Sequence, residues 1–219
     1  MNAADPDRFG AAIEEACLAV DGWFRSLRPF MTRVNLGSVV GHRSPALLSE
    51  RDCVVAFIRY LVGAGLPWEA IHNEVSISRW IFDQPHPAAT VMSNAQRRVD
   101  LVLVDADKFA DAELPSTSVD GFKFDAFLEF GFLGDYWQQP KADTWGEPMG
   151  GRAKVVADVA KIARHLAAQA CRIGYVIVFE ECDYGFEDSF EADAEAENGC
   201  RLRFIRTWTA PSPSQTCGA

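Results

Sequence analysis

Residues 97–105 read RRVDLVLVD, and residues 122–131 read FKFDAFLEFG. Both segments are apolar runs with the length and composition of buried β-strands. Each run contains a carboxylate, Asp100 in the first and Glu129 in the second, and burying a carboxylate is costly unless something such as a metal ion compensates its charge. Asp100 and Glu129 are therefore the first candidates for a functional site.

Further helices and strands are predicted on both sides of these two strands. Apolar residues at helical spacing predict a first helix from Arg8 to about Phe30, and a second helix that opens at Ser49 and ends at Gly63. The second helix is expected to bury Val55, Ile58, Leu61 and Val62. The remaining predicted segments are a loop at 35–44, strands at 71–78, 98–105, 122–130, 173–179 and 201–208, and a helix at 152–171.

The order of these elements is helix, three strands, helix, two strands. Sequential hairpins followed by a helical crossover predict an α/β protein with a mixed central sheet flanked by helices. We expect residues 1–209 to form a single domain, with residues 1–48 as a helical extension and residues 210–219 as a disordered tail. The apolar face of the first helix is expected to pack on the core or to form a homodimer.

Composition and charge limit the class of protein. The 219 residues are 48% apolar and contain no run of about 18 apolar residues, so no contact with a membrane is expected. The acidic N-terminus lacks the features of an export signal, which predicts a cytoplasmic protein. The six cysteines and four histidines are scattered without zinc-site spacing, so reduced thiols and no structural zinc are expected.

The net charge of −10 is concentrated in one segment. Residues 180–197 contain nine acidic residues and no Lys or Arg, whereas the rest of the chain is nearly neutral. This pattern predicts a solvent-exposed loop whose deletion leaves the fold intact. It also weakens the case for tight, non-specific DNA binding.

Carboxylates on adjacent strands are hard oxygen ligands of the kind that Mg²⁺ or Mn²⁺ requires. An antiparallel arrangement of the two strands would bring Asp100 and Glu129 toward the same end of the sheet. Glu74, on the preceding predicted strand, is a third candidate. We expect these three residues to converge at one end of the central sheet.

This pattern resembles the PD-(D/E)xK nuclease superfamily over roughly residues 50–179. The segment LPWEAIHNE at 66–74, followed by RVDLVL at 98–103, looks most like the nuclease domains at the N-terminus of type I restriction subunits and related standalone proteins. The resemblance implies a restriction-endonuclease-like core of helix, three strands, helix and strand. It further implies that Asp100 and Glu129 bind Mg²⁺ or Mn²⁺, that Glu74 is the upstream glutamate, and that DNA is the substrate.

The chain departs from the motif at the lysine. Gly131 stands where the motif has its lysine, two residues after the glutamate. Lys123 lies six residues before Glu129, about 20 Å along a strand, and is too far away to replace it. Lys154 and Lys161 share one face of the predicted helix with Asp158 between them, so either one is a candidate for a migrated lysine. The small residues Ala157, Ala160 and Ala163 are expected to let this helix lie close to the sheet.

Three functions follow from these observations. The first is a Mg²⁺-dependent deoxyribonuclease with a role in defence or repair, in which Asp100, Glu129, Glu74 and Lys154 or Lys161 are the catalytic residues. The second is a catalytically silent protein of the same fold that binds or regulates, which the replacement of the lysine by Gly131 favours. The third is an unrelated α/β protein in which the buried carboxylates are structural.

Overall fold

The computed structural model describes residues 8–27, 32–36, 39–43, 50–76, 98–105, 124–133, 141–142, 148–149, 151–180, 186 and 189–206. Side chains are described for these residues except 32–43, 76 and 141–152. The elements in chain order are α1 (Arg8–Ser26), β1 (Thr32–Leu36), β2 (Val39–Arg43), α2 (Glu50–Gly63), a 3-10 turn (Trp68–Ala70), β3 (Ile71–Ser76), β4 (Arg98–Leu103), β5 (Phe124–Leu133), β6 (Lys141–Ala142), β7 (Pro148–Met149), α3 (Gly151–Ala167), β8 (Cys171–Glu180), α4 (Phe190–Asn198) and β9 (Arg201–Arg206).

The centre of the fold is a five-stranded mixed sheet with the order β3-β4-β5-β8-β9. The pairs β3–β4 and β4–β5 are antiparallel, whereas β5–β8 and β8–β9 are parallel. All ten residues of β5 are buried, because the strand is paired on both sides and covered on both faces. The predicted α/β class with a mixed sheet flanked by helices is confirmed.

Side chains of the strands alternate between two faces of the sheet. The face under α1 and α2, which we call the aromatic face, is apolar and rich in phenylalanine. Its main residues are Leu101, Leu103, Leu128, Phe130, Phe132, Tyr175, Ile177 and Phe179. The opposite face, under α3, carries Val102, Phe127, Val176 and Val178, and strand alternation places Asp100, Glu129 and Gly131 on it as well. We call it the charged face.

Helix α1 belongs to the core of this chain. Its apolar residues Phe9, Ile13, Val20 and Phe24 are buried in the cluster that α2 and the aromatic face also form. The helix is also tied to β9 by an ion pair between Glu14 and Arg203. The apolar face from which we expected a homodimer contact is thus occupied within the chain, and a homodimer stays a prediction.

Two local predictions were wrong. The segment expected to be a loop at 35–44 contains most of the β1–β2 hairpin, since the β-branched residues flanking Gly37 and Ser38 favour strands more than the glycines favour a loop. In α2, Val55 and Val62 are 53% and 40% exposed, and the buried stripe instead includes Cys53, Val54 and Phe57. The phenylalanine supplies the largest apolar surface of the helix and sets which side faces the core.

The acidic segment is only in part the expected exposed loop: Asp193, Glu195 and Glu197 are exposed but lie in a helix, and residues 181–185, 187 and 188 lie outside the described residues. Helix α4 lies within it and connects β8 to β9, and parallel strands require such a crossover because a tight turn cannot join them. Glu191 accepts a hydrogen bond from the Phe204 N–H, and Glu180 is 1% exposed and paired with Arg206. Removing the segment would therefore leave β9 without its connection. The predicted tail at 210–219 lies outside the described residues.

Close packing of α3 on the sheet depends on Gly174. A Cβ atom at this position of β8 would lie 2.3 Å from Ile162 Cγ2, a distance that no packed side chain tolerates. The alanines at 157, 160 and 163, expected to face the sheet, are only partly buried, and α3 packs through Val155, Val159 and Ile162. A missing side chain on the strand, rather than small residues on the helix, brings α3 close.

None of the helices in the described part of the chain is long and apolar enough to cross a lipid bilayer.

Candidate functional site

The register between β4 and β5 brings Asp100 and Glu129 together. The paired residues are Leu101 with Leu128 and Val102 with Phe127, so one further step sets Asp100 opposite Glu129. Cross-strand neighbours on one face have Cβ atoms roughly 4.5–5.5 Å apart. In addition, Asp100 Oδ2 accepts a hydrogen bond from the Phe130 N–H at 2.9 Å. The two carboxylates are therefore neighbours, and the aspartate is oriented by the backbone of β5.

Two lysines of helix α3 lie on the side of the helix that faces these carboxylates. Lys161 Nζ lies 2.7 Å from Glu129 Oε1, and both side chains are well buried at 12% and 5% exposure. Lys154, two turns earlier on the same helical face, donates a hydrogen bond of 2.9 Å to the Phe130 carbonyl oxygen. Its ammonium also lies 3.2 Å from Glu50 Oε2 and 3.4 Å from Asp158 Oδ2. The helical face that carries the two lysines is turned toward Asp100 and Glu129, and each lysine has its own set of partners.

The ammonium of Lys154 lies close to Gly131. A Cβ atom built on Gly131 would lie 3.9 Å from Lys154 Nζ and 3.7 Å from the methyl groups of Val178. The ammonium group of Lys154 therefore occupies space beside Gly131. Lys123, which we excluded on distance, lies outside the described residues.

Burial shifts the proton equilibria of the acidic groups. Desolvation, followed by the negative charge of Asp100, raises the pKa of Glu129 to about 8, and Lys161 offsets only part of this shift. Burial also raises the pKa of Asp158, against the opposing effect of both lysines. For Lys154, burial alone would lower the pKa, but Asp158 and Glu50 outweigh it and the pKa is raised. Lys154 is thus held as a cation, while Glu129 exchanges its proton near neutral pH.

Glu74 is placed differently from the other predicted ligands. The pairs Asn73–Leu101 and Val75–Val99 set its backbone opposite Asp100, so positions 74, 100 and 129 form a row across three strands. Glu74 itself has a φ of 53°, and its carboxylate is 45% exposed and paired with Arg98. A row of three positions is therefore present, but the side chain of Glu74 is committed to an arginine.

Within the described ranges, no three or more His, Cys, Asp or Glu side chains are arranged to hold a metal ion. The expected trio of Glu74, Asp100 and Glu129 is thus not assembled as a three-carboxylate site. Of the predicted ligands, Asp100 and Glu129 are neighbours on the charged face, and the charge of Asp158 also acts in this cluster. Two carboxylates still suit Mg²⁺, which commonly binds through one or two carboxylates and keeps several waters.

The sequence analysis missed Glu50. It is the first residue of α2, a helix on the opposite side of the sheet, and it was interpreted only as part of a helix start. Its contact with Lys154 joins residues 104 positions apart in the chain. A local pattern carries no signal for such a contact, since only the folded sheet brings the start of α2 and the start of α3 to the same end.

The fold and this cluster define a class: a mixed α/β protein with a partly buried cluster of carboxylates and lysines on one face of its sheet. No family model matches the chain, and no curated protein or solved structure matches it either.

Proposed function

We propose that the chain has a restriction-endonuclease-like core and hydrolyses DNA phosphodiesters with Mg²⁺ or Mn²⁺. The order of α2, β3, β4, β5, α3 and β8 supports this core, because it follows the sequence of helix, three strands, helix and strand that the resemblance implies. Three antiparallel strands followed by a parallel one, after a helical crossover, are consistent with it. A nuclease of this kind would act in defence or repair.

The observation that carries the proposal is the pairing of two neighbouring carboxylates with a lysine ammonium beside Gly131. Asp100 and Glu129 provide the acidic pair. This chain has Gly131 where the motif has a lysine, and Lys154 provides a cation beside that position. A lysine that starts from the helix and ends beside the strand would replace the motif lysine in space. Glu74 would contribute only if its pairing with Arg98 were exchanged.

In this function Asp100 and Glu129 would hold the metal ion, which acts as a Lewis acid on the phosphate and lowers the pKa of a bound water. The Phe130 N–H keeps Asp100 in one orientation. Lys154 would donate to a phosphate oxygen and stabilise the charge that develops there. Lys161 places a cation beside Glu129 in the absence of a metal ion.

The direct test is Mg²⁺-dependent cleavage of supercoiled and single-stranded DNA. Asp100→Ala is expected to abolish cleavage, and Lys154→Ala to lower the rate by roughly 10²–10³. Lys161→Ala is expected to have a smaller effect, because its partner is Glu129. Arg164→Ala, at an exposed position of the same helix, is the matched control and should keep the wild-type rate. Full activity of Lys154→Ala together with loss in Asp100→Ala would refute the role of Lys154.

A relocation variant tests the geometry more sharply. In Gly131→Lys/Lys154→Ala the lysine returns to the motif position, where its Cβ would make only ordinary contacts with Val178. We expect the double variant to recover much of the activity that Lys154→Ala loses. A double variant as slow as Lys154→Ala would show that the space beside Gly131 is not where the cation acts.

A second function, a silent DNA-binding or regulatory protein, is favoured by one observation. Lys161 Nζ, 2.7 Å from Glu129 Oε1, already places a cation beside the more buried carboxylate without a metal ion. In that case the wild type would cleave no DNA substrate. It would bind DNA equally well with and without Mg²⁺, and Asp100→Ala would leave the affinity unchanged.

A further inference from the structure

The ammonium of Lys154 contacts oxygen atoms of three different elements. It donates hydrogen bonds to the Phe130 carbonyl oxygen at 2.9 Å and to Glu50 Oε2 at 3.2 Å. The third contact, with Asp158 Oδ2 at 3.4 Å, is an ion pair without a hydrogen bond. The lysine side chain is thus fixed by the chain itself before any ligand arrives.

The three contacts are not equivalent. Asp158 lies on the same helix as Lys154, four residues later, and its contact is the longest. The Phe130 oxygen belongs to the strand that carries Glu129. Glu50 is the first residue of α2, which packs on the other face of the sheet, and its side chain is 44% exposed. Unlike Asp158, it contacts the ammonium from outside α3.

We infer that Glu50 is a positioning residue, which holds the Lys154 ammonium beside Gly131 so that the lysine can act on a phosphate. This inference rests on the proposed nuclease function. Asp158, on the same helix, cannot impose this position alone, because an i,i+4 pair keeps both side chains along the helix surface. With Glu50 and the Phe130 oxygen retained, the 3.4 Å contact to Asp158 is the weakest of the three and is the one that a phosphate oxygen would replace.

Glu50 is not assigned as a metal ligand. Its contact in the cluster is with Lys154, whereas Asp100 and Glu129 are the carboxylates that the β4–β5 register sets side by side. A positioning residue and a ligand predict different kinetics. Loss of a positioning residue lowers kcat and leaves metal affinity unchanged, whereas loss of a ligand weakens metal binding.

The test compares Glu50→Gln and Glu50→Ala with the wild type in three measurements. The first is the cleavage rate at saturating DNA and Mn²⁺, which we expect to fall about 10- to 100-fold because the reacting cation is displaced. The second is the Kd for Mn²⁺ from calorimetry, which we expect to be unchanged. The third is the rate of reductive methylation of Lys154, followed by mass spectrometry, which we expect to rise because the ammonium loses a charged partner. Asp52→Asn, which removes another acidic group from the first turn of α2, is the matched control.

Each result supports or contradicts the positioning role of Glu50. Unchanged methylation of Lys154 in both Glu50 variants would overturn the inference, and so would an unchanged cleavage rate in an active protein. Weaker Mn²⁺ binding by Glu50→Gln would overturn it by making Glu50 a ligand. If the wild type cleaves no DNA, the proposed function fails, and the methylation rates alone then decide whether Glu50 holds Lys154. Recovery of the cleavage rate in Glu50→Asp would support a carboxylate requirement at this position.

Discussion

The two faces of the central sheet are built on different principles. The aromatic face packs Phe24, Phe57, Phe130 and Phe179 in edge-to-face and stacked contacts, with ring centroids 5.3 to 6.5 Å apart. The ion pair between α1 and the sheet at this face, Glu14 with Arg203, is partly exposed. The charged face buries Glu129 and Lys161 in the middle of the layer between α3 and β5.

The two faces therefore differ in how much their side chains stabilise the fold. Apolar burial of the aromatic kind stabilises a fold directly. Buried ion pairs commonly stabilise less than an apolar core of the same volume, because both charges lose their hydration. A sheet that needed only stability could have had two aromatic faces. The buried charges of the second face are therefore not explained by stability alone, and the contrast can be tested by substitutions on each face.

The largest effect is expected from truncating the aromatic face. Phe57 is fully buried and contacts Phe130 edge-to-face, so Phe57→Ala should lower the free energy of unfolding by about 3–5 kcal/mol. Val55→Ala, on the exposed side of the same helix, should change it by less than about 0.5 kcal/mol. Urea unfolding of both variants measures the difference. Similar values for the two would contradict the assignment of the buried side of α2.

A change at the contact between α3 and the charged face should be the next largest. Gly174→Ala would place a Cβ 2.3 Å from Ile162 Cγ2, and we expect it to cost about 1–3 kcal/mol and to lower any Lys154-dependent activity, because α3 must shift. Gly22→Ala is the matched control, since a Cβ there has nothing within 4 Å and the residue lies in α1. The Gly22→Ala substitution should instead raise the free energy of unfolding by about 0.5–1 kcal/mol, as measured by thermal or urea unfolding. A tolerated Gly174→Ala would mean that α3 does not lie as close as described.

The buried acid of the charged face should make stability depend on pH. The pKa of Glu129 is raised to about 8 in the folded state, above its unfolded value near 4.5, so between these values the folded state holds a proton that the unfolded chain has released. This contribution lowers the free energy of unfolding as pH rises through that window, by about 1.4 kcal/mol per pH unit at most.

Glu129→Gln should therefore flatten the pH dependence of urea unfolding between pH 5 and pH 8. Glu197→Gln, at an exposed position of α4, should keep the wild-type slope. Equal slopes for wild type and Glu129→Gln would show that Glu129 stays ionised beside Lys161.

The smallest effect is expected from the ion pair on the aromatic face. Burial would raise the pKa of Glu14, but hydrogen bonds from Arg203 and Tyr175 outweigh it and the pKa is lowered. Glu14→Gln should cost less than about 1 kcal/mol at pH 7, since the pair is partly exposed. The cost should vanish as pH falls through the lowered pKa, because the wild-type carboxylate is then protonated. Glu15→Gln, exposed on the same helix, should show no loss at either pH, and a loss there equal to that of Glu14→Gln would contradict the role of the pair.

Much of the fold could be predicted because its central strands are uninterrupted apolar runs. Strands β4 and β5 begin within two residues of their predicted starts, and α1, α2 and α3 begin within one. The α4 crossover was missed because its charged residues favour solvent. Its packing depends on Phe190 and Phe204, which both contact Phe186 in the folded protein. A local pattern in the sequence does not show these contacts. Parallel pairing of β9 leaves no local pattern in the sequence.

The candidate site was also predictable only in part, because local patterns show some of its contacts and not others. Strand alternation and the antiparallel hairpin were enough to pair Asp100 with Glu129, and helical spacing was enough to put Lys154 and Lys161 on one face. The diversion of Glu74 to Arg98 was not predictable, because it depends on a φ of 53° at one residue. The catalytic role of these residues stays a prediction.

The position of α3 in the chain, after β5 and before β8, also bears on how the protein folds. Strands β3, β4 and β5 precede α3, so a partly folded chain can pair Asp100 with Glu129 while both carboxylates are still hydrated. Their desolvation requires α3, because that helix covers the charged face. A mutation that relieves it, such as Glu129→Gln at pH 8, should slow unfolding and leave the folding rate nearly unchanged, since it acts on a contact that forms late. Slower unfolding of Glu129→Gln with an unchanged folding rate would place the docking of α3 after the folding transition state.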